Sequence, residues 1–181
     1  TNDAFLNYDG RIGIELRGSS SQVLEKKPYG FTTLLEDDDS NNNVSLLGMP
    51  SENDWILNSL AYDPSMVRDY LSYTLSSNMG NYAPRVRYIE VIVNDDYKGV
   101  YILTEKIKRD SDRVNLKKIA DFDNTSPQVT GGYIVKADKI NGEDEVAWTM
   151  PNYGGWETNF LHHYPKTEDI TDQQADYIEN M

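Results

Sequence analysis

A short run near the start of the chain has the composition of an anion-binding loop. The run Arg17-Gly18-Ser19-Ser20-Ser21 follows an alternation over residues 11–16 that is typical of a β-strand. The glycine lets the backbone approach a ligand, the serine hydroxyls donate hydrogen bonds, and the guanidinium presents a fork of donors to an oxyanion. A simple surface turn with Arg17 in a salt bridge is the alternative that these residues leave open.

A pair of lysines follows that loop, at the entrance of a second predicted strand. Lys26 and Lys27 precede Pro28, which sets an extended start for a strand that runs to Leu35. A lysine beside a serine-rich loop has the point charge that binds phosphate. A surface lysine that keeps its ammonium group in water is the alternative.

Residues 87–110 have the clearest structural pattern in the chain. Two alternating β-rich runs flank the polar break Asn94-Asp95-Asp96, which predicts a β-hairpin. The second run is apolar on both faces until Glu105, and charged residues follow from Lys106 onward. A central, covered strand that delivers charged residues at its carboxyl end is a common way to present a site.

Two helices are predicted. Asp63 as N-cap, Pro64 at the first helical position and an apolar stripe predict a helix over residues 64–79. Arg68 lies one step off that stripe, where it either faces solvent or reaches a carboxylate inside the fold. The run Thr171-Asp172-Gln173-Gln174 is a capping box that begins a second helix. The fold class predicted from these elements is α+β, mainly antiparallel sheet with one packed helix.

The composition argues against several classes of function. A net charge of −13 over 181 residues disfavours both sequence-independent binding of nucleic acid and binding to an anionic membrane surface. No run approaches membrane-spanning length, so no direct membrane insertion is expected. Cysteine is absent, which excludes disulfides, thiolate catalysis and Cys-based zinc sites. His162 and His163 are adjacent and would point to opposite faces of a strand, so no metal site is predicted.

Six blocks of the sequence, taken in order, are similar to one known family. The blocks are RGSSS (17–21), KKPYGF (26–31), LLGMPSENDWIL (46–57), YDPSMVRDYLSYTLSSNMGNYAPR (62–85), GVYILTEKIKRD (99–110) and GGYIVKAD (131–138). They resemble the CotH family, the spore-coat-type atypical protein kinases and their relatives, and the YPKTEDIT segment is similar to Bacteroides-type relatives. Six blocks in matching order and spacing make this resemblance specific.

The resemblance implies a fold and an activity. The fold would be the N-terminal part of a divergent protein-kinase-like fold, and the activity would be transfer of phosphate from Mg-ATP to serine or threonine of a protein substrate. Such a reaction needs a cradle for the phosphates, metal ions on them and a carboxylate that orients the nucleophile. ATP and Mg are therefore the cofactors expected for the full domain.

The resemblance also implies roles for individual residues. Lys27 would be the catalytic lysine that pairs with the phosphates. The residues implied to contact the nucleotide, order that lysine or line the cleft are Arg17, Ser19, Ser20, Arg68, Glu105 and Lys106.

The family places its catalytic and metal-holding Asp and Asn residues after the region that matches residues 171–181. We therefore expect residues 1–181 to form a single partial domain that binds nucleotide weakly and does not turn over by itself. Because the relatives include large bacterial surface proteins, an extracytoplasmic or cell-surface location is the expectation.

Two other functions stay open at this point. A non-catalytic cell-surface or envelope module on the same scaffold is the first. The second is a carbohydrate-binding β-domain that uses Trp148, Tyr153 and Trp156, whereas a small satellite core is the alternative role of these aromatic residues.

Overall fold

A computed structural model describes residues 6–37, 39–140, 142 and 144–181. The chain divides into two compact units, Thr1–Ile107 and Lys108–Met181. Each unit is built on one antiparallel sheet. The single partial domain expected over residues 1–181 stays a prediction.

The first unit is a five-stranded antiparallel sheet with one helix. Its strands lie in the order β1-β2-β3-β5-β4. The elements are β1 (Arg11–Leu16), β2 (Tyr29–Leu34), β3 (Asp54–Asn58), α1 (Arg68–Asn78), β4 (Val86–Val93) and β5 (Asp96–Glu105). The predicted hairpin is confirmed, because β4 and β5 pair along their whole length around a turn at Asn94 and Asp95. Both turn residues have positive φ, 51° and 62°, as a two-residue type I′ turn requires.

Side chains on one face of this sheet form the main hydrophobic core, and we call it the core face. Its buried members are Leu46, Met49, Trp55, Leu57, Val91, Tyr101 and Leu103. Trp55 is completely buried, and its indole N–H donates to the carbonyl oxygen of Glu52 at 3.1 Å, so its one polar atom is satisfied.

Helix α1 begins at Arg68, four residues later than predicted. Residues 63–66 form a tight turn instead, in which the Asp63 carboxylate accepts hydrogen bonds from the backbone N–H groups of Ser65 and Arg68. Met66 has a φ of 57°, which is incompatible with a right-handed helix at that residue. The N-cap of α1 is Val67, without a side-chain capping hydrogen bond, so the predictions of Asp63 as N-cap and of Pro64 at the first helical position are wrong.

Only part of the predicted apolar stripe of α1 packs on the sheet. Tyr73 lies against the cluster of Leu60, Val86 and Ile102, and Tyr70 stacks on Tyr88 with a centroid separation of 5.4 Å. All seven residues of the predicted stripe, Met66, Val67, Tyr70, Leu71, Thr74, Leu75 and Met79, are exposed, and Tyr73 does not belong to that stripe. The side of the helix that carries the tyrosines is thus the packed side.

The second unit is a three-stranded antiparallel sheet, in the order β6-β8-β7, with one helix. Its elements are β6 (Ile134–Ala137), β7 (Trp148–Pro151), β8 (Glu157–Tyr164) and α2 (Asp172–Glu179). The capping box at the start of α2 is confirmed, since the Thr171 hydroxyl and the Gln174 side chain each accept from the other residue's backbone N–H. An isolated parallel bridge joins Arg109 and Val114.

The predicted fold class, α+β with mainly antiparallel sheet, is confirmed. The likeness to a protein-kinase fold stays a prediction. Across the described ranges, no helix combines the length and the apolar character needed to span a bilayer.

An ion pair between a buried carboxylate and an exposed arginine closes the end of β5. The Glu105 side chain has no exposed surface, and one carboxylate oxygen accepts from Arg85 Nη1 at 2.7 Å. The other oxygen accepts from the backbone N–H of Arg85 at 2.9 Å. Glu105 therefore ties the start of β4 to the end of β5 through side chain and backbone together.

Replacing Glu105 with alanine should destabilise the protein. Loss of the buried carboxylate removes the acceptor of the Arg85 backbone N–H and of the Arg85 guanidinium, so we expect the free energy of unfolding to fall by about 2 kcal/mol. Urea denaturation at pH 7 measures this change. Glu25→Ala, at an exposed position, is the control and should change little. A loss for Glu105→Ala below about 0.5 kcal/mol, the range of ordinary surface substitutions, would show that the pair does not close the fold.

Candidate functional site

The face of the five-stranded sheet opposite the core is covered by α1 only in part, and we call it the cavity face. Because successive residues of a strand point to opposite faces, the strand register decides which side chains share it. Two rows cross β1, β2 and β3 on this face: Gly13, Thr32 and Asp54, then Glu15, Gly30 and Ile56.

Two cavities lie on the cavity face, and both are lined by Arg17 and Ile56. The larger has a volume of about 430 Å³ and the smaller about 290 Å³. The larger is also lined by Gly13, Ile14, Glu15, Gly30, Phe31, Thr32, Asp54, Trp55 and Lys106. The smaller is also lined by Gly18, Ser21, Pro28, Asn58, Tyr73 and Thr104.

Arg17 lines both cavities. Its backbone N–H donates to the carbonyl oxygen of Pro28 at 3.2 Å, which continues the pairing of β1 with β2 by one step. In the part of the chain that the structure describes, its guanidinium makes no hydrogen bond and no ion pair. The alternative role of Arg17, a surface salt bridge, is therefore not seen among the described residues. The charge of Arg17 also opposes the increase in the pKa of Tyr73 that burial and Asp69 produce.

The loop after Arg17 depends on its glycine. Gly18 has a φ of +84°, and a Cβ atom added there would overlap the hydroxyl oxygen of Ser21. Gln22 holds the turn from the other side, since its side-chain amide donates to the carbonyl oxygen of Gly18 at 2.5 Å. The absence of a side chain at residue 18 thus lets the Ser21 hydroxyl lie beside Arg17 in the smaller cavity.

The two predicted serines lie outside both cavities. Ser19 precedes a 3₁₀ turn over Ser20–Val23 and makes no side-chain capping hydrogen bond. The carbonyl oxygen of Ser20 accepts from the Tyr62 hydroxyl at 3.2 Å. Ser21, the third hydroxyl of the run, is the serine that lines the smaller cavity.

Neither Lys26 nor Lys27 lines either of the two cavities described above. The Lys27 ammonium group donates to the carbonyl oxygen of Gln22 at 2.5 Å, and its own carbonyl oxygen accepts from the Tyr101 hydroxyl at 2.9 Å. The Lys26 ammonium group donates to the carbonyl oxygen of Val100 at 2.5 Å and lies 4.7 Å from the Tyr101 ring centroid. Burial lowers the pKa of Lys26. Both lysines tie the end of the loop to β5.

Three further predicted residues are dispersed. Arg68 pairs with Asp63, with 3.5 Å between Nε and Oδ1, and its side chain is largely exposed outside both cavities. Glu105 is buried on the core face. Lys106 is the next residue along, faces the opposite way and lines the larger cavity, where its Nζ lies 3.9 Å from Oδ1 of Asp54. Of the seven predicted residues, the structure brings Arg17 and Lys106 together.

Three polar residues of the cavity face, Glu15, Thr32 and Asp54, were not predicted as site residues. Glu15 lies two residues before Arg17, so the period of a strand was a signal that could have placed it on the same face. Asp54 accepts from the Thr32 hydroxyl at 3.0 Å. No local pattern could have found that contact, because it depends on the pairing of β2 with β3.

The arrangement can bind an oxyanion. The Arg17 guanidinium, which has no partner among the described residues, supplies donors to the smaller cavity together with a hydroxyl and a glycine-containing turn. The larger cavity offers a glycine-lined surface with carboxylates at its side. Among the described residues, no group of three or more His, Asp or Glu side chains is placed to hold a metal ion.

Comparison with known protein families assigns most of the chain to one family. The family described as CotH kinase protein matches residues 14–181, which include the second unit and every lining residue of the two cavities except Gly13. The chain belongs to the CotH kinase family. A comparison with curated proteins found no match. The resemblance of the six sequence blocks is confirmed at the level of the family.

The conformation of Gly18 gives a test of the loop. Gly80 has nearly the same φ, +85°, but a Cβ atom there would contact nothing within 4 Å. Gly80→Ala should therefore cost about 1 kcal/mol of stability through backbone strain alone. Gly18→Ala should cost more, because Ser21 must also move. Urea denaturation of both variants measures the difference, and equal losses would show that the Ser21 hydroxyl does not depend on Gly18.

Proposed function

We propose that this CotH-family chain is the nucleotide-binding portion of an atypical protein kinase that transfers phosphate from Mg-ATP to serine or threonine of a protein substrate. The family match supports a kinase-like function. The main observation in favour of nucleotide binding is the guanidinium of Arg17, which lines both cavities and has no partner among the described residues.

A phosphate group suits the smaller cavity. A guanidinium presents several donors in a plane and binds phosphate through two parallel hydrogen bonds, and the Ser21 hydroxyl can add a third. An arginine that already held a carboxylate would have to give up that partner first. Arg17 has no such partner among the described side chains, so its donors are available to a ligand.

A nucleoside suits the larger cavity. Its volume of about 430 Å³ lies within the range of small-molecule sites, about 300–1,000 Å³. Gly13 has no side chain to cover the sheet surface, and Ile56 supplies an apolar floor on which a planar base can lie. Bound ATP would supply the phosphoryl group, while the residues of this chain would bind and orient it.

Lys27 keeps its implied role as part of this proposal. Its side chain is long and flexible, and a single hydrogen bond to a backbone carbonyl holds it. The loop that carries it also carries Arg17, so exchange of the Gln22 carbonyl for a phosphate oxygen requires only a change of side-chain rotamer.

Arg17→Ala should weaken ATP binding by at least about tenfold, because charge-assisted hydrogen bonds to a phosphate are lost. NMR or calorimetric titration of the 181-residue chain with Mg-ATP measures the dissociation constant. Arg11→Ala is the matched control, since Arg11 lies on the same strand and lines neither cavity. Lys27→Ala in the same titration measures how much Lys27 contributes to ATP binding. ATP binding that is equal in the Arg17→Ala variant and the unaltered chain would refute the assignment of the phosphates to Arg17.

A carbohydrate-binding module, the β-domain alternative of the sequence analysis, is the second candidate, and the tip of the β7–β8 hairpin favours it. Tyr153 is fully exposed and Trp156 is 76% exposed. The Asn152 side chain orders the tip by accepting from the backbone N–H groups of Gly154 and Trp156. Trp148, in contrast, stacks on Phe160 at 5.2 Å and is half-buried. Two exposed aromatic rings on an ordered turn are suited to stacking on a sugar.

Titration of oligosaccharides against tryptophan fluorescence tests the module. If the tip binds sugar, the emission should change saturably, and Trp156→Ala should abolish the change while Trp148→Phe retains it. A flat response in the unaltered chain would remove this candidate.

A further inference from the structure

Glu15 is a carboxylate in an unexpected place. It lines the larger cavity, where the proposed function puts the nucleoside, and Arg17, which is proposed to bind the phosphates, lines this cavity as well. In the described part of the chain, its carboxylate makes no hydrogen bond or ion pair. It lies beside Gly30, its cross-strand neighbour, because a Cβ atom added to Gly30 would be 3.4 Å from its Oε1. The missing side chain of Gly30 thus leaves the space that Glu15 occupies.

A carboxylate beside a phosphate site repels the phosphate unless another part of the same ligand donates hydrogen bonds to it. We propose that Glu15 accepts hydrogen bonds from the sugar hydroxyls of the bound nucleotide, and that it makes the site selective for ribonucleotides. This inference rests on the proposed nucleotide-binding function and identifies the class of nucleotide that the site prefers.

The spacing of Glu15 and Arg17 supports this assignment. The two residues are two positions apart on one strand and share its cavity face, so their backbones are separated by about 6.6 Å. This is similar to the separation between the sugar hydroxyls and the 5′-phosphate of a single nucleotide. One strand can therefore bind both groups, with Arg17 on the phosphate and Glu15 on the sugar. A carboxylate that accepts from ribose hydroxyls is a recurrent arrangement in nucleotide-binding sites.

The other carboxylate of the larger cavity is less suited to this role. Asp54 already accepts from the Thr32 hydroxyl at 3.0 Å, and Lys106 lies 3.9 Å away. Both contacts engage Oδ1 of Asp54, and the lysine offsets its charge. Glu15 has no such contact in the described part of the chain, so it has more acceptor capacity left for a ligand.

The test compares ATP with 2′,3′-dideoxy-ATP, which lacks both sugar hydroxyls, on the 181-residue chain. The unaltered chain should bind ATP about tenfold more tightly, as expected for hydrogen bonds to a charged acceptor. Glu15→Ala should bring the ratio of the two dissociation constants close to one. Tripolyphosphate, which has no sugar, should bind this variant at least as tightly as the unaltered chain, because a repelling charge has been removed.

Glu25→Ala removes the same charge from an exposed position outside both cavities and should leave the ratio at about tenfold. If Glu15→Ala proves unstable by circular dichroism, Glu15→Gln replaces it and should lower the ratio at least threefold. ATP binding that depends on Arg17, with a ratio near one in the unaltered chain or an unchanged ratio in the Glu15 variants, would overturn the role of Glu15 and leave the proposed function standing. Absence of binding for every nucleotide would overturn both.

Discussion

The alternation of side chains at the end of β5 is the constraint on which the rest of the first unit depends. Glu105 points into the core and is neutralised there by Arg85, while Lys106, one residue later, lies in the larger cavity. A shift of one residue in the pairing of β5 would exchange the two faces, with an ammonium group in the core and the Glu105 carboxylate on the cavity side. The contact between Glu105 and Arg85 therefore fixes the register of β5, and this register decides which side chains lie on the cavity face.

The electrostatic setting of the cavities differs from that of the chain as a whole. A net charge of −13 repels anions at long range. Salt screens that long-range repulsion, whereas a contact between a guanidinium and a phosphate is screened less. Local donors such as Arg17 thus decide whether an anion binds. The same reasoning makes the nearby Glu15 carboxylate informative, because a negative group in this position must have a donor partner to be compatible with a phosphate.

The sequence patterns predicted the elements whose causes are local. The hairpin of β4 and β5, strand β1 and the capping box of α2 each depend on residues within a few positions of one another. The predicted start of α1 at Pro64 was wrong because Met66 has left-handed backbone geometry, which the residue types of Asp63 and Pro64 do not reveal. In the site, Arg17 and Lys106 could be predicted as residues of interest. The pairing of Asp54 with Thr32 could not, because strand register between distant segments has no local signature.

The loop that carries Arg17 is anchored at its far end as well as at its start. Its ends are joined by the hydrogen bond from Arg17 to Pro28, and the two lysines connect it to Val100 and Tyr101 of β5. Such a loop has lost much of its conformational entropy on folding, before any ligand arrives. Binding to it therefore requires little further ordering, which favours affinity for a small anion. It also favours an association rate limited by encounter with the ligand, since no slow rearrangement of the loop has to precede binding.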